Sequence, residues 1–180
     1  FYLSPFKEAA ILTCDFRGEF ETTTMGFGKE NEIKTIEKML TPHSIGVLYS
    51  SFTELLGYQV DGDEWKVMAL SAFDVDCSFH LEKIKSTFKL LDNGLLELDL
   101  NYYKAAILDQ PNLYTEKLVK LLGGRVGIAG EEPDHWHYSI ARAMQIVFEE
   151  IAIHMLLNLY ERTKLKNVVL GGGSFMNSVF

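Results

Sequence analysis

The chain has 180 residues, of which 47% are apolar and 23% charged, and its formal net charge is -8. These proportions describe a globular chain long enough to bury a core, and the acidic balance speaks against nucleic acid or an anionic membrane surface as the main partner. Cys14 and Cys77 are too few and too far apart for a disulfide framework or a zinc site.

No run approaches the roughly 18 apolar residues of a membrane span, and no signal peptide is visible. The expected setting is the cytoplasm, with both thiols free and buried in a reducing compartment. The chain begins at Phe1 rather than Met and closes a few residues into what reads as a helix, so both ends read as cut.

In chain order, the apolar run Glu8 to Cys14 ends on Asp15, as expected of a buried strand presenting a carboxylate at its C-terminal end. Gly18 permits a turn, and the β-rich stretch from Glu19 to Phe27 completes a hairpin with its tip near Arg17-Gly18. Ile33, Ile36, Met39 and Leu40 recur at helical spacing and predict a short helix over 31–40, stopped by Pro42. Ser44 can cap a second helix whose apolar face is Ile45, Leu48, Phe52, Leu55 and Leu56, with Gly57 as its stop. A third helix is expected over about 62–73.

Asp92-Asn93-Gly94 between two apolar runs predicts a second hairpin. A helix follows over about 112–122, then the glycine-rich loop 123–130. The longest element runs from Pro133-Asp134 to about Thr163, with Ile140, Met144, Val147, Ile151, Met155 and Leu159 on one face. Asn167-Val168-Val169-Leu170 reads as a short buried strand running into Gly171-Gly172-Gly173-Ser174.

Two strand-to-turn junctions could carry chemistry. At the first, Asp15 can hold a metal ion, and Gly18 lets backbone N–H groups approach phosphate oxygens; by spacing alone, Asp and Gly are also ordinary turn formers. At the second, glycines remove the Cβ atoms that would block a flat ligand, or else serve close packing between strand and helix. Neither a P-loop nor a dinucleotide fingerprint fits that spacing. His135 and His137, two apart on a helix, do not face each other and read as a helix start with Asp134 near the cap. His154 reads as a core histidine, Glu149-Glu150 and Lys164/Lys166 as solvated faces, and the 123–130 loop as a phosphate loop or a flexible connection.

Taken together, several segments resemble the O-carbamoyltransferases of nodulation-factor and antibiotic biosynthesis. Ser44-Ile45-Gly46-Val47-Leu48-Tyr49 looks like that family's Ser-Leu-Gly-x-x-Tyr helix. Glu64-Trp65-Lys66-Val67-Met68-Ala69-Leu70 is similar to its Glu-Tyr-Lys-Val-Met-Gly-Leu-Ala signature. Gly172, Gly173 and Asn177 match its Gly-Gly-x-x-x-Asn turn, and Phe1 to Phe6 looks like the segment following its His-His-x-x-His-Ala motif. The resemblance covers nearly the whole chain.

It implies an α/β fold of the actin/hexokinase (ribonuclease H-like) type, with residues 1–180 forming part of one such domain, incomplete at both ends. It also implies that a separate domain makes carbamoyl-adenylate from carbamoyl phosphate and ATP, and that the actin-like domain passes the carbamoyl group to the hydroxyl of a sugar-like or antibiotic-like acceptor. On the same ground Asp15 is expected to hold a divalent metal, iron in that family. Gly18, Gly172, Gly173 and Asn177 are expected to lie against the nucleotide. Two departures stand out: Asp15-Phe16 where the family has Asp-Gly, and Met68-Ala69-Leu70-Ser71-Ala72-Phe73 where it has glycines and a proline. They leave open a non-catalytic actin-like module that binds a nucleotide or a partner, or a sugar-kinase-like enzyme.

Overall fold

A computed structural model describes residues 1–104 and 112–180. It shows a mixed α/β fold in which a four-stranded sheet, a long helix and a group of shorter helices share one core. Strand β1 (Glu8–Cys14) pairs antiparallel with β2 (Glu21–Lys29), which pairs antiparallel with β3 (Glu32–Leu40). Strand β6 (Val168–Gly171) lies on the other side of β1 and runs parallel to it, giving the order β3-β2-β1-β6. A separate two-stranded hairpin, β4 (Phe88–Leu90) with β5 (Leu96–Leu98), forms where Asn93-Gly94 stands, with Gly94 in the left-handed region at φ 88°.

Alternation along β1 sends Ala10, Leu12 and Cys14 into the core and leaves Ile11 and Thr13 half-buried. Helix α1 (Ile45–Leu55) buries Leu48, Phe52 and Leu55 against that core. Helix α5 (His135–Thr163) is 29 residues long, about 43 Å at 1.5 Å per residue, and packs on β1, β2 and α1. Helices α2 (Glu64–Ser71) and α3 (Ser78–Lys85) lie along it, and α4 (Glu116–Leu121) completes the helical set among the described residues. A 3₁₀ turn over Gly173–Met176 follows β6.

The segment 31–40 is a strand, not the helix its apolar spacing predicts. Glu30, at φ 52°, turns the chain sharply, so residues from Glu32 onward pair back along β2. Thr35 pairs with Gly26 and Glu37 with Met25, which leaves Ile36 as a bulge residue. The bulge breaks the two-residue period that would have marked the strand. Ladder pairing then outweighs a helix propensity worth only tenths of a kcal/mol per residue.

Strand β6 is an edge strand with Val168 and Leu170 about 40% exposed, rather than a buried one. Helix α3 has no counterpart in the sequence reading: Asp76 Oδ1 accepts from the Ser78 N–H and hydroxyl at its start, over too short an apolar pattern to register.

The long helix starts as its sequence indicates. Asp134 accepts from the N–H groups of Trp136 and His137, and the buried His137 ring accepts from the Asp134 N–H in return, a capping box with His in the reciprocal position. Arg125 pairs with Asp134 and holds its carboxyl well below the usual range. The loop carrying Arg125 is tied to the end of α1 by the Gly127 N–H, 2.8 Å from the Leu55 carbonyl, so it serves as a packed connection. His154 is half-buried and reaches the Leu91 carbonyl through Nε2 at 2.9 Å, and Glu150 pairs with Lys85 at the surface. No helix among the described residues is long and apolar enough to cross a membrane.

Cys14 and Cys77 are free and buried. Burial pushes the Cys14 thiol from 9.0 up to about 12, against a smaller opposing pull from the Thr23 hydroxyl. Folding therefore favours the protonated thiol: its contribution is complete below pH 9 and is lost as pH rises toward 12. Native protein at pH 8 is expected to leave Cys14 unmodified by iodoacetamide, with denaturant exposing it; rapid native alkylation, mapped by peptide mass, would contradict this placement.

Candidate functional site

The C-terminal ends of the parallel strands β1 and β6 lie side by side, and the two sequence-singled junctions meet there. Asp15 Oδ1 accepts from the Gly173 N–H at 2.9 Å. The Asp15 backbone is fixed on both sides, its N–H donating to the Thr22 carbonyl at 2.8 Å and its carbonyl lying 2.9 Å from the Ser44 hydroxyl. Ser44 Oγ also lies 2.8 Å from the Phe16 carbonyl and accepts from the Val47 N–H at 3.1 Å. The capping serine of α1 thus joins the helix start to the Asp15-Phe16 turn. Ser44→Ala is expected to cost about 1–2 kcal/mol of stability, read as a lowered urea midpoint.

The glycines at these junctions do different work. Gly172, at φ 91°, lies so close to β1 that an added Cβ would stand 2.2 Å from the Cys14 carbonyl oxygen, so close packing alone requires glycine there. Gly18, at φ 58°, is likewise required by its own hairpin, 2.2 Å from the Glu21 carbonyl oxygen, and it does not line the cavity described next. Gly46 meets the Phe16 backbone at 2.6 Å. Gly173 is different: the nearest atom to an added Cβ is Asp15 Oδ1 at 3.9 Å, so packing leaves its glycine unexplained.

Gly173 faces a cavity of about 470 Å³. Its walls are aromatic and thioether side chains, Phe16, Tyr49, Trp65, Met68, Phe148 and Met176, with Asp61, Glu64, Ser174 and Asn177 among the polar groups. Trp65 is 62% exposed at this opening. Glu64 accepts from the Ser50 hydroxyl and the Asp61 N–H. Burial, and then the Glu64 charge, raise the Tyr49 phenol, which stays protonated and donates to Gln145 Oε1 at 3.2 Å. Ser174 Oγ and Arg17 Nε are both buried without a hydrogen-bond partner among the described residues. A buried unpaired donor is costly unless something fills the place.

Asn177 is held in a closed set of bonds. Its amide exchanges hydrogen bonds with Gln145 at 2.9 and 3.2 Å, and its Oδ1 accepts from the N–H groups of Val179 and Phe180. It lines the cavity while anchoring the last turn to α5. Gln145 is the functional neighbour that the sequence reading passes over. A buried amide in the apolar face of a long helix was the available signal, because such a group needs a partner.

Asp15, Gly172, Gly173 and Asn177 are therefore gathered at one end of the sheet, whereas Gly18 stands at the hairpin turn beyond it. Asp15 offers one carboxylate to a metal. No group of three or more His, Cys, Asp or Glu converges among the described residues, so these residues do not by themselves make a metal centre. Phe16 fills with a ring, 4.6 Å beneath the Arg17 guanidinium, the place where a glycine was expected. The lost glycines after Met68 allow α2 to run on to Ser71, and Phe73 stacks on Tyr138 at 4.2 Å.

Comparison with known proteins adds relatives to this geometry. The family described as "Carbamoyltransferase N-terminus" matches residues 1–180. The uncharacterized protein sll1178 of Synechocystis is 31% identical over 99% of this chain and 29% of its own length. The nodulation protein NolNO of Sinorhizobium fredii is 27% identical over 96% of the chain and 23% of its own. The uncharacterized protein MJ1051 of Methanocaldococcus jannaschii is 28% identical over 98% and 32%. The chain spans less than a third of the length of each of these curated relatives.

Proposed function

The chain belongs to the carbamoyltransferase N-terminal family, which it matches over residues 1–180, and on that premise we propose that it forms part of an actin-like domain that holds a carbamoyl-adenylate for transfer to a hydroxyl acceptor. One observation carries the reading. A cavity with aromatic and thioether walls opens on Gly173, whose missing Cβ has no packing cause and whose N–H binds the Asp15 carboxylate. The aromatic side chains of Phe16, Tyr49, Trp65 and Phe148 suit a purine, and the Ser174 hydroxyl, buried without a partner among the described residues, belongs to the same wall.

Asp15 would repel a phosphate unless a cation stood between them. Its Oδ1 is committed to Gly173, which leaves Oδ2 to face such a cation. A divalent metal there, iron by analogy with the family, would supply charge neutralisation of the phosphate, with its remaining donors coming from outside residues 1–180. Gly173 lets the backbone come close to the ligand, Gly172 lets the turn pack against β1, and Asn177 with Gln145 keeps the turn in place. ATP and carbamoyl phosphate, acted on by another domain of the same protein, would supply the donor, and a sugar-like or antibiotic-like hydroxyl would receive the carbamoyl group with AMP as the leaving group.

The test is transfer of label from carbamoyl phosphate, with ATP, to a panel of hydroxyl acceptors by the full-length protein. Gly173→Ala should leave stability within about 0.5 kcal/mol and weaken nucleotide binding about tenfold, since the added methyl enters the cavity. A protein that transfers no label but binds ATP would support the second reading, a non-catalytic nucleotide module, which the Phe16 ring in place of glycine favours. ADP and a phosphorylated sugar as products would identify a kinase instead.

A further inference from the structure

Four arginines occur in the chain, and three of them are committed to local carboxylates. Arg125 pairs with Asp134 and Glu131, Arg142 with Asp74, and Arg162 with Glu37. Arg17 pairs with no carboxylate among the described residues, although Asp15 and Glu19 each stand two positions away in the chain. Its Nε is buried without a hydrogen-bond partner. A buried N–H left unmatched is costly, so this one calls for an acceptor that residues 1–180 do not supply.

The guanidinium is nevertheless held in place, 4.6 Å from the centre of the Phe16 ring. An arginine resting on an aromatic face keeps its planar fork of donors open at the edge and loses little freedom when an oxyanion arrives. Phe16 is itself fixed. Its carbonyl lies 2.8 Å from the Ser44 hydroxyl, and its backbone abuts Gly46. Its ring also lines the cavity of about 470 Å³, so one side chain serves as cavity wall and as support for the arginine. Arg17 is not among the lining residues. It therefore stands past the apolar wall, where it meets only the part of a ligand that extends beyond Phe16. The Asp15 carboxylate and the unmatched Ser174 hydroxyl belong to the same junction, on either side of the Gly173 N–H.

We propose that Arg17 is a phosphate-binding residue of this site, its Nε–H and a terminal N–H donating to two phosphate oxygens of a nucleotide whose base occupies the aromatic cavity. The proposal rests on the reading of that cavity as a nucleotide site and adds the residue that recognises its charged end. A phosphate meets repulsion from Asp15 and from a chain of net charge -8. A guanidinium two residues from that carboxylate offsets the repulsion from within the same turn. Bidentate, charge-assisted pairing with phosphate is what the planar fork fits best. A carboxylate from another part of the protein would satisfy the same donors, and in that case losing Arg17 would leave phosphate recognition unaffected.

The experiment photolabels the full-length protein with 8-azido-AMP and, separately, with 8-azidoadenosine, which differs from it only in lacking the phosphate. Half-saturation is read on peptides containing Trp65, Met68 or Met176, so a nucleotide site elsewhere in the protein does not enter the measurement. Arg17→Gln is expected to raise the half-saturating concentration of 8-azido-AMP about tenfold or more and to leave that of 8-azidoadenosine within about twofold. The adenosine result also shows that the variant is folded. Arg17→Lys keeps the charge but not the fork, and should recover only part of the loss. Unchanged labelling by 8-azido-AMP in Arg17→Gln, or equal losses for the two ligands, would overturn the inference. Wild-type protein that labels these peptides with neither ligand would contradict the nucleotide reading itself, and the inference with it.

Discussion

Gly46→Ala is expected to destabilise the full-length protein by about 3 kcal/mol and to abolish ordered binding at the cavity, although it changes one hydrogen into a methyl group. The added carbon would stand 2.6 Å from Phe16 Cα, 2.9 Å from Phe16 N and 3.1 Å from the Asp15 carbonyl oxygen. All three are backbone atoms, so no rotamer change relieves the contact. The helix cannot withdraw either, because the Ser44 hydroxyl is held against the Asp15 and Phe16 carbonyls, and Ile45 and Leu48 are fully buried behind it. Moving the Asp15-Phe16 turn instead would break the Asp15 to Gly173 bond. Urea denaturation reads the loss. Gly62→Ala is the control, since an added Cβ there meets nothing within 4 Å, and its midpoint should stay within about 0.5 kcal/mol of wild type. Equal midpoints for the two variants would contradict the packing described here.

Asp15→Asn is expected to leave stability nearly unchanged and to lower carbamoyl transfer by about 10²- to 10³-fold, the usual cost of removing one well-placed electrostatic group. Asparagine keeps an oxygen to accept from the Gly173 N–H, and the Asp15 backbone bonds to Thr22 and Ser44 do not involve the side chain. What disappears is the negative charge. Asp15→Ala removes the Gly173 bond as well and should cost a further 1 kcal/mol or so of stability. The pair separates the two roles of this carboxylate: a loss of transfer in both variants assigns it to the charge. Undiminished transfer by Asp15→Asn would show that the carboxylate only ties the two strands together.

Much of this arrangement was legible in the sequence because it rests on local rules. The apolar run ending at Asp15, the Ser44 cap, the Asn93-Gly94 hairpin and the Asp134 start of α5 each depend on a few neighbouring residues, and each stands where expected. The failures are non-local. The strand over 32–40 depends on pairing with β2 and on a bulge that erases its period. The exposure of β6 depends on what lies beside it in space. At the site, the sequence marked Asp15, Gly172, Gly173 and Asn177 but could not divide the glycines by cause. Only the geometry separates Gly172, which packing demands, from Gly173, which it does not. The Gln145 partner of Asn177 lies 32 residues away in sequence, a distance that no local pattern bridges.

The most direct test of the central claim is photolabelling of the full-length protein with 8-azido-ATP, followed by peptide mapping. The cavity beside Asp15 and Gly173 predicts labelled peptides containing Trp65, Met68 or Met176, with the labelling suppressed by excess ATP and weakened in Gly173→Ala. Label confined to peptides outside residues 1–180 would contradict it.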